Sequence, residues 1–364
     1  MTDVLIVGAG PTGLTAALQL AERGIRARII DKRVEPSPYS RAFGVNPRTL
    51  TLLESTGVTE RMLAQGWRLG AINVWRNGKP LFKLNLSTVT HRYPFMLVHS
   101  QAKSEALMVE ALNEHGIQIE RAVALERLTM QADAAEATLC HPGGHEEVCR
   151  ASVLFGADGL RSTVRTALSI PFVGSAYDEP WKLYDLELDT PLARDEAHAF
   201  LLDDGGVFAV RLDDTLWRVI GNVPDLLERL PHGTAPGHVV WTSDFEIEHR
   251  IAGRFQEAHA YLAGDAAHVH AGLGARGMNL GVEDAYVFAV LAAEGRLQDY
   301  QRLRYPIDEA VMRQVERITA VPRGKTRLAK AVRSLAPLLA PMIPLGASSV
   351  GRWVLGLNHE VRLH

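Results

Sequence analysis

Cysteine is almost absent: Cys140 and Cys149 are the only two in 364 residues, and their spacing is neither C-x-x-C nor that of a metal-binding finger. That excludes a disulfide framework and fits a reducing compartment. The two flank Pro142-Gly143-Gly144, across which a hairpin could bring them together, but two free thiols are expected. An excess of one charge is also missing: 39 Lys and Arg against 42 Asp and Glu leave a formal net charge of -3. Such a balance gives no footprint for nucleic acid. No uninterrupted apolar run approaches the ~20 residues of a membrane span. The first apolar strand begins almost at Met1, so neither a signal nor a transit peptide is expected, and the expected location is cytoplasmic. There is no internal repeat, no Cys/His cluster and no convincing hydrolase triad; neither a metal nor a protein nucleophile is expected.

What the chain does have is Val4-Leu-Ile-Val-Gly8-Ala-Gly10-Pro11-Thr12-Gly13, an apolar strand running into G-x-G-x-x-G. Gly8 permits the tight turn, Gly10 lets the backbone approach a pyrophosphate, and Gly13 lets the next helix pack closely on the strand. The pyrophosphate then sits on the helix N-terminus, where unpaired N–H groups and the dipole favour an anion. Leu14, Ala17, Leu18 and Ala21 recur at helical spacing, and Arg26 to Ile30 reads as the next strand, closing a βαβ unit. Asp31, followed by Lys32, stands about 20 residues past the glycines, where a carboxylate accepts hydrogen bonds from a ribose. The fingerprint alone does not separate NAD from FAD.

Asn46-Pro47 caps a helix that Gly57 ends, and Asn77-Gly78 marks a hairpin within strand-like residues 71–98. A helix over about 100–115 follows, then a buried strand at Ala151–Phe155. Further strands are expected at Trp181–Leu188, Gly206–Leu212, Leu216–Val223 and near Glu246–Ile251, in a mostly antiparallel sheet. The nucleotide-binding pattern then resumes, with a strand at Ala260–Ala263 and a helix at Gly281–Ala293. The expected fold is α/β: a Rossmann-like nucleotide-binding domain (1–70, 96–171 and 258–310), a sheet domain (71–95 and 172–257) and a C-terminal helical segment (311–364). In that last segment Arg313–Arg333 is basic, and Leu335–Leu345 is apolar but broken by prolines; helices packed on the nucleotide-binding domain are favoured over a membrane-surface or oligomer contact.

Two further loops begin at strand ends and lead to helix starts. One is Gly156-Ala-Asp158-Gly159-Leu-Arg-Ser162-Thr-Val-Arg165; the other is Gly264-Asp265-Ala-Ala-His268 continuing through Gly272-Leu-Gly274-Ala-Arg276-Gly277-Met278-Asn279. Such positions are where open α/β sheets bind ligands. Extra acid-glycine turns suit a cofactor with more polyol to grip than NAD offers, such as the ribityl chain of FAD.

In order and separation these three motifs resemble the FAD-dependent aromatic hydroxylases, the group A flavoprotein monooxygenases typified by para-hydroxybenzoate hydroxylase. The resemblance covers nearly the whole chain and implies the fold of that enzyme, with a mostly antiparallel substrate-binding sheet. It implies that Gly8, Gly10 and Gly13 hold the pyrophosphate, with Pro11 and Thr12 beside it, and that Asp31 and Lys32 lie at the adenosine ribose. Arg41 and Gln101 match residues that reach the cofactor. Asp158 resembles the aspartate that links FAD contact to nicotinamide use, and Gly264 and Asp265 lie at the ribityl chain. Gly274, Arg276, Gly277, Met278 and Asn279 run beside the isoalloxazine, offering backbone N–H groups to its reduced anion. Here Asp31 replaces the usual Glu, Ala271 and Gly272 stand where prolines are common, and Arg276 replaces Gln or Lys. Arg276 would add a fixed positive charge near the flavin's pyrimidine edge.

The implied activity is hydroxylation of a small aromatic or polycyclic phenol, using NADH or NADPH, O2 and a flavin C4a-hydroperoxide. Tyr184, Phe208 and Trp217 are expected at the roof of the substrate pocket, and His270, Ala271 and Gly272 on its loop side. No catalytic base is assigned; His268 and His270 read more readily as structural than as catalytic. An FAD-dependent reductase or dehydrogenase, or a non-catalytic flavin sensor, are the alternatives. A monomer or homodimer is expected.

Overall fold

The computed structural model describes residues 2–38, 42–272, 275–323 and 343–364. Four parallel strands, Ile119–Arg121, Ala27–Asp31, Thr2–Val7 and Glu146–Gly156, lie side by side, with Ala260–Leu262 as a fifth. Helix Pro11–Ala21 makes the first crossover. Leu5, Ile6, Leu14, Leu18, Leu20 and Ile29 are wholly buried where that helix meets the sheet. Each such side chain contributes roughly 1.5–3 kcal/mol of apolar burial. Apolar packing therefore seats the helix that follows the fingerprint on the sheet. Strands Ala124–Met130 and Ala135–Cys140 extend the sheet antiparallel from Glu146–Gly156. In this hairpin Cys140 pairs with Glu146 and Cys149 with Ala137, so the thiols are offset in register, and both are free.

A seven-stranded sheet stands against this layer in the order Ala235–Phe245, Trp181–Asp189, Leu216–Gly221, Gly206–Arg211, Glu196–Leu201, Ala71–Arg76 and Lys79–Asn85. All its neighbours are antiparallel except Glu196–Leu201 on Ala71–Arg76. The hairpin at its far edge turns on Asn77 (φ 48°) and Gly78 (φ 76°), the mirror-image turn that matches strand twist. Residues opposite each other share a face. Tyr184, Val219 and Ala209 line up on one side with Leu186, Trp217 and Val207; Leu183, Ile220 and Phe208 line up on the other with Asp185, Arg218 and Val210. The first face packs under Leu226, Leu227 and Leu230, while Phe208 and Val210 pack toward Phe43, Met96 and Val98 on the nucleotide-binding side.

Three strands of five residues or more were not expected: Phe172–Ala176, Glu196–Leu201 and Ala235–Phe245. The last is an exposed edge carrying Pro236 and Gly237, so its apolar alternation is weak. Two three-stranded sheets stitch the layers together: Phe172–Ala176 with Glu248–Ala252 and His268–Val269, and Gly44–Val45 with Met96–Val98 and Trp67–Leu69. The chain closes with helices Tyr300–Arg323 and Ile343–Val354. Val354, Leu355 and Leu357 pack with Leu84, Leu86 and Val89, so the final turn lies over the hairpin as well as the nucleotide layer. Among the described residues no helix is long and apolar enough to cross a membrane.

Candidate active site

The three motifs meet, and their glycines record how closely. A Cβ placed on Gly8 would lie 2.3 Å from Ala157 O, so the first loop touches the second. A Cβ on Gly264 would lie 2.5 Å from Thr12 Oγ1, and one on Gly281 2.3 Å from the same oxygen, so the first loop touches the third. A Cβ on Gly13 would fall 1.9 Å from Gly8 O, whereas one on Gly10 meets nothing within 4 Å. Gly10 thus opens into free space at the start of helix Pro11–Ala21, whose first turn has no acidic residue. Free N–H groups beside an unblocked opening fit a pyrophosphate.

Asp31 accepts hydrogen bonds from Ala9 N (2.8 Å) and Arg33 N (2.8 Å), and two more from the Arg33 guanidinium at 3.1 Å each. Burial pushes its carboxyl up, but these donors outweigh that and hold it below its usual value. The backbone pair fixes the loop, and the half-buried Arg33 guanidinium takes up the remaining acceptor positions of the carboxylate. Lys32 is exposed. Gln101 donates to Glu105 (2.8 Å), which burial pushes up, and it stands at the N-terminus of helix Gln101–Glu114.

Asp158 is committed to local structure. Its carboxylate accepts from Ser162 Oγ (2.6 Å), Thr163 N (2.7 Å) and Val164 N (3.1 Å), capping helix Thr163–Ala167. Asp265 differs: its side chain is exposed, and desolvation by the surrounding loop raises its carboxyl. Among the described residues it has no hydrogen-bond partner. An exposed, unspent carboxylate beside Thr12 and Gly264 suits the hydroxyls of a ribityl chain. Gly10, Thr12, Gly264 and Asp265 therefore fit a flavin dinucleotide.

Beneath the third loop lies a buried ionic network that the sequence reading missed. Arg304 donates to Asp284 (2.7 Å), Glu283 (2.5 Å) and Asp308 (2.5 Å). Asp284 also accepts from Gly264 N (3.0 Å) and His268 Nε2 (2.7 Å). Burial pushes Asp284 up, but Arg304 and His268 hold it at about 2. Ligand atoms of His268, Asp284 and Asp308 lie within 4.8 Å of one another. Hydrogen bonds and Arg304 already account for that gathering. His268 is thus a strut that holds Gly264 in place.

Arg276 departs from expectation. Its guanidinium is buried and donates to Trp353 O (3.2 Å), so it is engaged with the C-terminal helix. Burial lowers it to about 10. Asn279 ties the third loop to the strand after Phe43: it accepts from Asn46 N (2.9 Å) and donates to Gly44 O (2.8 Å) and Ala275 O (2.5 Å). Gly277 and Met278 are half-buried in the first turn of helix Arg276–Ala293. Arg41 and Gly274 lie outside the described residues.

The expected roof needs two corrections. Trp217 is buried in the far-side core and Tyr184 packs against that same core, because odd and even positions of a strand point to opposite faces. Phe208 faces the nucleotide layer, 6.2 Å from Phe43. On that face also lie Ile220 and a buried ion pair: Arg218 donates to Asp185 through Nε (2.7 Å) and Nη2 (2.7 Å). Its partners stand directly opposite each other in two neighbouring strands, Arg218 as the single charge of its strand and Asp185 as one of four in the other. Ala271 is buried with Leu280 and Trp181, Gly272 is exposed, and His270 is half-buried.

Three convergent loops, with open space at Gly10 by a helix start and an uncommitted acid at Asp265, are the arrangement of a flavin dinucleotide-binding protein. Residues 1–212 and 222–315 match the sequence profile of a family described as an FAD binding domain. The chain belongs to that family, that of the FAD-dependent aromatic hydroxylases. It is 33% identical over 374 residues to a 6-methylpretetramide 4-monooxygenase of Streptomyces rimosus, covering 95% of this chain and 65% of that relative. The chain thus spans less than two thirds of that relative's length. A rifampicin monooxygenase of Streptomyces venezuelae is 30% identical over 343 residues, covering 86% of this chain and 70% of the relative. The crystal structure of a p-nitrophenol 4-monooxygenase from Pseudomonas putida DLL-E4 shares the fold, with a TM-score of 0.86 at 24% identity and 99% of each chain covered.

Proposed function

We propose that the protein is an FAD-dependent monooxygenase that uses NAD(P)H and O2 to hydroxylate an uncharged aromatic or polycyclic phenol. One observation carries this reading. The loops that would grip FAD stand across from an aromatic sheet face, Phe208 with Phe43, whose guanidinium, Arg218, is already matched by Asp185. A carboxylated substrate would need an uncommitted cation there; a phenol does not.

When bound, FAD supplies the redox chemistry, taking electrons from the nicotinamide and delivering one oxygen atom of O2 to the ring. The protein binds, orients and excludes water. Gly10 and the helix start at Pro11 would hold the pyrophosphate, Asp31 the ribose once Arg33 yields, and Asp265 the ribityl hydroxyls. Phe43, Phe208 and Ile220 shield the reacting ring from water, which protects reactive species from side reactions. The His268–Asp284–Arg304 network keeps Gly264 and Asp265 in register.

The test is an absorption spectrum of purified protein, then NADH and NADPH oxidation with a panel of phenols under 18O2. Stimulated oxidation with label in the product is expected. Product without label would indicate a dehydrogenase or reductase, and protein that takes up no FAD would overturn the reading.

A further inference from the structure

The reading above leaves the groups that recognise the phenol unassigned. His270 has chemistry to spare. It follows strand His268–Val269 and lies against the first turn of helix Arg276–Ala293: the nearest atom to a Cβ built on Gly277 is His270 Cε1, at 3.9 Å. Its Nδ1 is 2.8 Å from Ala271 O. A carbonyl only accepts, so Nδ1 carries the hydrogen and Nε2 of the neutral ring presents a lone pair. That Nε2 is buried and has no hydrogen-bond partner. Buried acceptors are normally satisfied, so each one left over calls for a donor.

The surroundings specify the donor. Next to His270, Ala271 belongs to an apolar cluster with Trp181 and Leu280, against which Phe245 and Trp353 pack. His268, His249 and Arg276 are the titratable groups that act on the ring; His268 is spent on Asp284 and Arg276 on Trp353 O. Burial foremost, then the two histidines and the arginine, hold His270 at about 3, so the ring stays neutral and its Nε2 can only accept at working pH. A ligand that satisfies it brings a hydroxyl hydrogen on an apolar body.

We infer that His270 Nε2 accepts the hydrogen bond of the substrate's phenolic hydroxyl, selecting the neutral phenol over its phenolate and its methyl ether. This rests on the phenol-hydroxylase reading above and gives it a recognition residue.

4-Nitrophenol reports directly, because its phenolate is yellow and its neutral form is not. FAD-loaded protein is titrated with it near its own pKa, beside 4-nitroanisole, which lacks the hydroxyl. Expected for the wild type is loss of the yellow band on binding. His270→Phe should keep its FAD, bind 4-nitrophenol roughly tenfold more weakly and leave the bound probe yellow, the loss of one buried hydrogen bond. His270→Gln, which offers an acceptor oxygen, should restore part of the bleaching, and 4-nitroanisole should bind all three proteins alike. Equal affinity and bleaching in His270→Phe and wild type would overturn the inference, as would wild-type protein that binds the probe as its yellow phenolate. Wild-type protein that holds FAD yet binds neither probe would instead bring down the phenol reading, and this inference with it.

Discussion

Gly281→Ala tests whether the first and third loops truly meet, because the sign of its effect is opposite in the two cases. Gly281 lies inside helix Arg276–Ala293, where alanine is favoured over glycine by about 1 kcal/mol. Without close packing the variant would be more stable. In the structure the new Cβ falls 2.3 Å from Thr12 Oγ1 and 3.1 Å from Gly264 Cα. Ordinary contact begins at 3.4 Å, so the helices must part by about 1 Å or Thr12 must turn. Threonine is stiff at χ1, so turning is not free, and overpacking of this kind costs about 1–3 kcal/mol. The expected result is a melting temperature lower by roughly 2–6 °C, with weaker FAD retention. Thr12→Ala removes the offending oxygen and leaves the residue's Cβ at an ordinary 3.5 Å. The double variant should therefore recover most of the loss, though not all, since Gly264 Cα remains tight. Thermal denaturation of the four proteins completes the cycle. A stabilised Gly281→Ala, or strictly additive effects with Thr12→Ala, would refute the convergence of these loops.

Arg218→Met or Asp185→Asn alone should destabilise by about 3–5 kcal/mol by leaving one buried charge unpaired, whereas Arg218→Met with Asp185→Leu should recover much of it; thermal unfolding distinguishes the two outcomes. His99, buried against Ser104, is held by burial at about 4, against 6.5 when unfolded. Being neutral in the fold, it contributes its full stability above pH 6.5 and loses it as the pH falls toward 4, by about 2 kcal/mol at pH 5; His99→Gln should flatten that part of a stability-versus-pH curve. Asp308 is pushed well above its usual range, by burial and by the neighbouring Asp284 and Glu283, so it holds a proton in the network. Asp308→Asn should then melt within a few degrees of wild type, while Asp284→Asn, which removes a true charge from Arg304, should cost about 3–5 kcal/mol, and equal losses would refute that proton's placement.

Much of the nucleotide layer was legible because its signals are local. Asn46 does accept from Thr49 N, a helix does run over Gln101–Glu114, and Gly57 is left-handed at φ 68°. Each of those rests on the backbone demands of a few adjacent residues. The sheet faces were only half legible. Alternation shows that Phe208 and its strand neighbours point in opposite directions, yet it cannot say which side meets the nucleotide layer, and so Tyr184 and Trp217 were put on the wrong one. Edge strand Ala235–Phe245 escaped notice because exposure removes the apolar alternation by which strands are recognised.

The third loop shows why its anchors were the least legible part. Gly264 is held by Asp284 of the following helix, Asp284 by Arg304 of the helix after that, and Arg304 by Asp308 one turn further on. No segment of the sequence contains that chain of contacts; in each helix the charge resembles a solvated position among apolar neighbours. Only the fold places four ionised or titrating groups where none touches water. Removing Arg304 or Asp284 leaves a buried charge unpaired in a low dielectric, so the network tolerates few arrangements. That intolerance is useful at a cofactor site, because Gly264 and Asp265 need to be fixed before a ligand arrives. His268, next to the loop and paired with the same aspartate, serves that fixing. His270, two residues on, is left outside it with an unspent nitrogen, which separates the supporting histidine from the one available for recognition.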